Sequence, residues 1–159
     1  MAAQTDVIDW QEAMQQCGDD EEFLREVLAD LRTEVEAQLS IIAEIINVSD
    51  NGCIGVAVVC PTSLTQLLWN SSRYFPQNPQ GSPYHQIMRS AHLLKGAAAN
   101  LMCGPLRMAS MQLEDSARAA HEQGETAAPP DIQAAVQAAH RNLQQAAQNF
   151  VAFLFSIGL

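Results

Sequence analysis

The stretch DDEEFLREVLADLRTEVEAQLSIIAEII, residues 19–46, decides the fold class of this chain. Its large aliphatic residues recur at steps of three and four over roughly six turns, which is the spacing of one face of an α-helix. Asp19 and Glu22 have the spacing of a capping box and place acidic groups at the positive end of the helix dipole. The stretch therefore predicts a helix over about 20–46. Its buried face would consist of Leu24, Leu28, Leu31, Val35, Leu39, Ile42 and Ile46.

Three more segments carry an apolar stripe at the same spacing. A break at Cys103-Gly104-Pro105 separates the first two, and the sequence PPD at 129–131 precedes the third. These segments predict helices over about 85–103, 105–123 and 131–156. The expected inward-facing residues are Ile87, Ala91, Leu94, Ala98 and Leu101, then Leu106, Ala109, Leu113 and Ala117, then Ile132, Val136, Ala139, Leu143, Ala146, Phe150 and Leu154.

A shorter periodic segment over about 9–17 predicts one more helix, which would end at Gly18. Four long helices and one short one predict an all-α chain. The expected architecture is an antiparallel four-helix bundle with an additional short N-terminal helix, forming a single domain over 1–159.

Residues 47–84 do not fit this pattern. FPQNPQGSP at 75–83 is rich in turn residues, and CIGVAVVC at 53–60 has strand-like content without a partner strand. An irregular insertion of this length is unusual inside a compact bundle. Three explanations remain open: a disordered insertion, a functional loop, or a mistranslated stretch from a faulty gene model.

The overall charge excludes some classes of partner. A formal net charge of -10 argues against general binding to nucleic acid or anionic lipid, because both require a basic surface. The sequence begins without a secretory signal pattern, and its apolar runs are shorter than the roughly 20 residues that span a bilayer. We therefore expect a protein of the cytoplasm, and also of the nucleus.

The cysteines and histidines do not show the spacing of a metal site. The four cysteines, at positions 17, 53, 60 and 103, include no C-x-x-C pair and no zinc-like spacing with histidine. We expect free thiols and no bound metal.

Acidic residues are missing from the middle of the chain. Residues 51–113 contain no Asp or Glu, but they do contain three arginines and the only lysine, Lys95. This distribution is either an accident of composition or the mark of a surface kept free of negative charge because an anion binds there.

His92 lies on a different face from the apolar stripe of its helix. At about 100° per residue it points roughly 140° away from the centre of that stripe. Lys95, Gly96 and Ala99 fall on the same side as His92, one and two turns further along. The pattern predicts an exposed histidine beside a cation, on a surface made of small residues.

Gly96 is unexpected in the middle of a helix, where glycine costs about 1 kcal/mol relative to alanine. It could be a helix-packing glycine, or it could remove bulk so that a partner can approach the His92 ring. The lone lysine and the acid-free segment favour the second interpretation.

These residue types suit a phosphoryl carrier. A neutral imidazole is a competent nucleophile near pH 7, and a cation such as Lys95 can stabilise phosphoryl oxygens, with Arg89 assisting. We expect no acid/base partner, nucleotide loop or metal cage at this position, and therefore no autonomous kinase or phosphatase activity.

The segment HLLKGAAANL at 92–101 resembles the H-x-L-K-G-[SA] signature of the histidine-containing phosphotransfer (HPt) domain. DDEEFLREVLADL at 19–31 is similar to the acidic start of that family's second helix, and Leu106 and LED at 113–115 match its leucine and its Leu-Glu pair. The resemblance spans about 120 residues and omits 47–84.

The resemblance implies a role for each residue of the motif. His92 would be the phosphorylated histidine, Lys95 would steady the phosphoryl group, and Gly96 would give access to the partner. The implied partners are response-regulator receiver domains and a hybrid histidine kinase, with Mg²⁺ supplied by the receiver and no cofactor on this chain, which would act as a monomer. We expect docking through mainly apolar contacts around the histidine, made by Met88, Leu93, Ala99 and Gly96, with Arg89 as a further partner-binding residue.

The chain departs from the family pattern in two places. Met102 occupies the position where the family commonly has a glycine, which suggests that Gly104 has taken over that role and that the hairpin is shifted. The insertion over 47–84 is the second departure, and it could lie near the docking face.

Two other functions remain as alternatives. One is a helical adaptor that binds receiver domains or other signalling partners without accepting phosphate, and the other is a bundle-class enzyme, for which clustered catalytic groups are lacking. His85, His121 and His140 are expected at the surface or at helix ends. Lys95 is expected to be exposed, so that its replacement leaves the bundle folded.

Overall fold

The computed structural model describes residues 7–50, 82–123 and 129–159, and within those ranges it contains helices and no strands. The predicted all-α class is confirmed. The helices are α1 (Trp10–Gln16), α2 (Glu21–Asp50), α3 (Pro83–Asn100), α4 (Gly104–Glu122) and α5 (Pro130–Ser156).

The region expected to be irregular, 47–84, is helical at both of its ends. α2 continues to Asp50 and α3 begins at Pro83. Proline suits this place because the first turn of a helix does not need its missing N–H. The strand-like CIGVAVVC segment lies outside the described residues.

The turn between α1 and α2 corrects one detail of the sequence analysis. α1 closes as expected, with Gly18 in the left-handed region at φ 69°. The cap of α2 is Asp20, whose Oδ1 accepts a hydrogen bond from the Phe23 N–H at 3.1 Å. Asp19, which we expected to cap the helix, instead adopts φ 60° and continues the turn. Two adjacent acids at the start of a helix can both serve as caps, and the sequence does not choose between them.

The apolar stripes form one continuous core. The expected residues of α3 and α4 are all buried, as are those of α5 except for the half-buried Ile132. In α2, Leu39 and Ile46 are only half-buried, and Gln38 is buried in place of Leu39. A residue three positions after Val35 and a residue four positions after it can both lie on the same helical face. Spacing alone therefore does not show which of Gln38 and Leu39 is buried. The Gln38 amide donates to Glu34 Oε1 at 2.9 Å, which satisfies part of its hydrogen-bonding capacity.

α3 and α4 form a tight antiparallel hairpin and pack extensively against each other. Their turn is closed by a hydrogen bond from the Cys103 N–H to the Ala98 carbonyl at 2.9 Å. Met102 adopts φ 54°, the left-handed conformation that favours glycine, whereas Gly104 does not. The expectation that Gly104 replaces the glycine of this turn is therefore wrong. The Met102 side chain is half-buried against the core, and this packing offsets its backbone strain.

Contacts at one end of the bundle, where α2 begins and α5 ends, join the helices. The Asp9 N–H donates to the Met102 carbonyl at 3.2 Å, which fixes the N-terminal segment to the α3–α4 turn. At the C-terminal end of α5, the Arg25 guanidinium donates to the Ile157 carbonyl at 2.9 Å. The Arg32 guanidinium lies 4.8 Å from the centre of the Phe155 ring. These contacts join the start of α2 to the end of α5, so the two helices run antiparallel. No helix in the described ranges is long and apolar enough to cross a membrane.

His140 is buried in the bundle, although the sequence analysis expected it at the surface or at a helix end. Its ring lies on the inward side of α5, and its Nε2 has no hydrogen-bond partner in the described part of the chain. Burial lowers the pKa of His140 below its ordinary value of 6.5, and the charge of Arg141 lowers it further.

This shift predicts a loss of stability in acid. The unfolded chain binds a proton at position 140 more readily than the folded chain, so the free energy of unfolding should fall as the pH drops below 6.5. The slope from this one group is at most about 1.4 kcal/mol per pH unit. Urea unfolding between pH 7.5 and 5 should show this slope in the wild type, and His140→Gln should reduce it. His85→Gln serves as the matched control, and an equal reduction in that variant would show that the slope does not come from position 140.

Candidate functional site

His92 stands on the outer face of α3, as its position in the sequence predicts. Its side chain is 66% exposed, whereas the nearby residues Ala91 and Leu94, which belong to the apolar stripe, are fully buried. The imidazole is thus open to solvent and to any molecule that approaches this face.

Gly96 lies one turn further along and is also exposed. Apart from its chain neighbours and the backbone of its own helix, a Cβ atom built on Gly96 would meet no atom within 4 Å in the described structure. A helix-packing glycine would show a close contact here, so that interpretation does not hold. The absent side chain leaves open space on the outside of α3, beside His92.

Glu114 of α4 completes the site, and the sequence analysis gave it no role. Its side chain is only 5% exposed, and its carboxylate contacts three groups. Oε1 lies 3.1 Å from His92 Nδ1 and 2.9 Å from the Arg118 guanidinium, and Oε2 lies 2.6 Å from Lys95 Nζ. We call His92, Lys95, Glu114 and Arg118 the histidine cluster.

The position of Glu114 follows from the hairpin. His92 lies eleven residues before Cys103 and Glu114 lies eleven residues after it. Two antiparallel helices joined by a tight turn place residues at equal distances from the turn beside each other. This symmetry about the break at 103–105 is the sequence signal that would have identified the pair.

One expectation about the site was wrong: Lys95 was expected to be exposed, whereas its side chain is 30% exposed and ion-paired. The sequence analysis also did not anticipate a carboxylate within hydrogen-bonding distance of the imidazole. The acid-free segment 51–113 of the sequence is not acid-free in space, because Glu114, the residue that follows it, folds back against it.

The charges of the histidine cluster determine the protonation state of the Glu114 carboxylate. Burial raises the pKa of Glu114, but hydrogen bonds and charges from Lys95 and His92 lower it by more, and the net shift is downward. Glu114 is therefore ionised at neutral pH and accepts hydrogen bonds only. A neutral His92 ring must then carry its proton on Nδ1, which leaves the lone pair on Nε2. This tautomer is assigned from the hydrogen-bond geometry.

The cluster has one surplus positive charge, because Lys95 and Arg118 face a single carboxylate. Arg118, whose side chain is 52% exposed, was not anticipated from the sequence. It lies one turn after Glu114 on α4, at the spacing of an ion pair within a helix. A chain with a net charge of -10 thus presents a local site where an anion is favoured.

The four residues expected to contact a partner are not equally accessible. Arg89 is exposed, and Leu93 is 55% exposed directly beside His92. Met88 and Ala99 are half-buried, and Met88 packs against the core. Of the four residues, Leu93 and Arg89 are therefore the accessible ones near the imidazole, together with the open side of Gly96. No group of three or more His, Cys, Asp or Glu that could hold a metal ion occurs in the described ranges.

One comparison with known proteins gives a match. The family model described as Hpt domain matches residues 21–148, which is most of the chain. The match begins with α2 and includes every member of the histidine cluster. Neither the curated proteins nor the solved structures gave a match.

The ion pairs predict that Lys95 contributes to stability. Lys95→Met would leave the buried carboxylate of Glu114 without its closest partner, and we expect a loss of about 1–3 kcal/mol in the free energy of unfolding. The double variant Lys95→Met/Glu114→Gln should recover most of this loss, because the unpaired charge is then gone.

Urea unfolding of the two single variants, the double variant and the wild type checks this double-mutant cycle. Arg89→Met, which removes an exposed cation from the same helix, is the control and should change stability by less than about 0.5 kcal/mol. Equal stability of Lys95→Met and Arg89→Met would contradict the assigned ion pair.

Proposed function

The chain belongs to the Hpt domain family, and we propose that it is a phosphorelay intermediate in which His92 accepts a phosphoryl group from a receiver-domain aspartate and passes it to another receiver domain. Hpt domains have a general role in histidine phosphotransfer within phosphorelays. The observation that best supports His92 as the acceptor is its exposed ring, held at Nδ1 by the ionised carboxylate of Glu114.

The proposed transfer uses the free lone pair on Nε2. This nitrogen attacks the phosphorus of the aspartyl phosphate, so that an N–P bond forms while the aspartate leaves as a carboxylate. The proton stays on Nδ1, and the phosphorylated ring therefore carries a positive charge, which the Glu114 carboxylate balances. A protonated ring is a good leaving group, which favours transfer to the next receiver.

The two cations of the cluster stabilise the phosphoryl oxygens in this proposal. Lys95 and Arg118 each contact Glu114, and their surplus charge supports binding of an anion next to His92. The partner receiver supplies Mg²⁺, and this chain needs no cofactor of its own. It acts as a single-domain monomer that receives phosphate from a hybrid histidine kinase through the receiver.

Phosphate transfer from a labelled receiver tests the acceptor residue directly. Incubation with a phosphorylated receiver should place an acid-labile, alkali-stable label on the wild type and on His85→Gln. His92→Gln should remain unlabelled. Binding of the receiver with no label on the wild type would instead support a non-phosphorylated adaptor, and a label on His92→Gln would assign the acceptor to another residue.

Gly96 offers a test that separates access from stability. Gly96→Ala should raise the free energy of unfolding by up to about 1 kcal/mol, because alanine favours the helix and the added methyl meets no other side chain or helix in the described ranges. The same methyl should hinder a partner, and a penalty of about 1.4 kcal/mol in docking would lower transfer about tenfold.

The control is Gly104→Ala, because Gly104 is also helical and also has open space at its Cβ position. It should leave transfer unchanged. A Gly96→Ala variant that is more stable and transfers phosphate at the wild-type rate would refute the access role of this glycine.

A further inference from the structure

A second pair of histidines lies on the same two helices as the histidine cluster. His85 is in the first turn of α3 and His121 is in the last turn of α4. Their ring centres are 5.6 Å apart and the rings are tilted by 46°. His85 lies seven residues before His92 and His121 lies seven residues after Glu114, so the pair is two turns, about 10.5 Å, from the cluster.

This end of the hairpin also has polar atoms that lack partners. His121 Nδ1 and the hydroxyl oxygen of Ser82, which precedes α3, are both buried and have no hydrogen-bond partner in the described part of the chain. A buried polar atom without a partner costs about 1–3 kcal/mol and calls for an explanation. A packing contact between the two rings would account for the distance between their centres. It would still leave His121 Nδ1 without a hydrogen-bond partner.

We propose that His85 and His121 form a binding site for a transition-metal ion of the Zn²⁺ or Ni²⁺ class. Imidazole nitrogen is a preferred ligand of these ions, whereas Mg²⁺ and Ca²⁺ prefer oxygen. Two imidazoles bound to one tetrahedral ion at metal–nitrogen distances of about 2.0–2.1 Å have ring centres roughly 5 Å apart. The observed 5.6 Å is close to that separation.

The site has two protein ligands, and water fills the other positions around the ion. This agrees with the absence of any cluster of three or more ligating residues in the described ranges. The two histidines are 36 positions apart in the sequence and share no motif, so the spacing rules that led us to expect no metal could not detect them. The bound ion links the start of α3 to the end of α4, at the opposite end of the hairpin from Met102.

Calorimetric titration of the purified full chain with Zn²⁺ and with Ni²⁺ tests the site. We expect one ion per chain for the wild type. At one hundred times the dissociation constant, the midpoint of thermal unfolding should rise by roughly 5–10 °C. His85→Gln and His121→Gln should each lose both the binding and the rise in midpoint.

The chain has four histidines, so two further variants complete the set. His92→Gln and His140→Gln should bind the ion as the wild type does. Ion binding that survives in His85→Gln and in His121→Gln would assign it to thiols or to other histidines, and no binding to the wild type would show that the pair is only a packing contact. Either result overturns the site. The metal site uses His85 and His121, whereas phosphate transfer uses His92. A negative result for metal binding therefore leaves the proposed phosphate transfer untouched.

Discussion

The buried carboxylate of Glu114 is the constraint on which the functional face depends. An ionised carboxylate that is 5% exposed is stable only when it is compensated, and here two cations and an imidazole share that role. These contacts with Glu114 hold the three groups in place. Lys95 and Arg118 are held beside His92, and the ring is oriented with Nδ1 inward and Nε2 outward.

This arrangement explains how a strongly acidic chain can handle an anion. The negative charge of the site is placed under the surface, and the positive charges lie between it and solvent. In the proposed transfer, an approaching phosphoryl group would therefore meet these cations before the carboxylate. Water screens the repulsion that the other acidic side chains of residues 7–47, 82–123 and 129–159 exert on an anion, because all of them are exposed.

Much of the fold could be predicted from the sequence because the core is built from regular stripes. The inward faces of α3 and α4 follow a single period, and every residue expected there is buried. The errors occur where two neighbouring residues satisfy the same local rule, such as Asp19 and Asp20 at the cap of α2 or Gln38 and Leu39 in its stripe. Met102 shows a different limit, because tertiary packing holds a non-glycine residue in a left-handed conformation that local propensity disfavours.

The site was predicted in part. His92, Lys95 and Gly96 share one helix, so helical geometry alone identifies their common face. Glu114 and Arg118 belong to another helix, and the contact becomes visible only when the hairpin is folded about its turn. The expectation that His140 lies at the surface was wrong because a titratable residue can be buried on an apolar helix face. The residue type alone does not show whether it is buried.

The hairpin has a consequence for the connection between α2 and α3. His92 and Glu114 are 22 residues apart in the chain, and the tight turn at Met102 is all that separates their helices. The segment 51–81 precedes this hairpin in the sequence. The entropic cost of connecting two packed helices grows only slowly with the number of residues between them. The distance from His92 Nδ1 to Glu114 Oε1 is set by contacts within the hairpin, so it does not depend on the number of residues between α2 and α3.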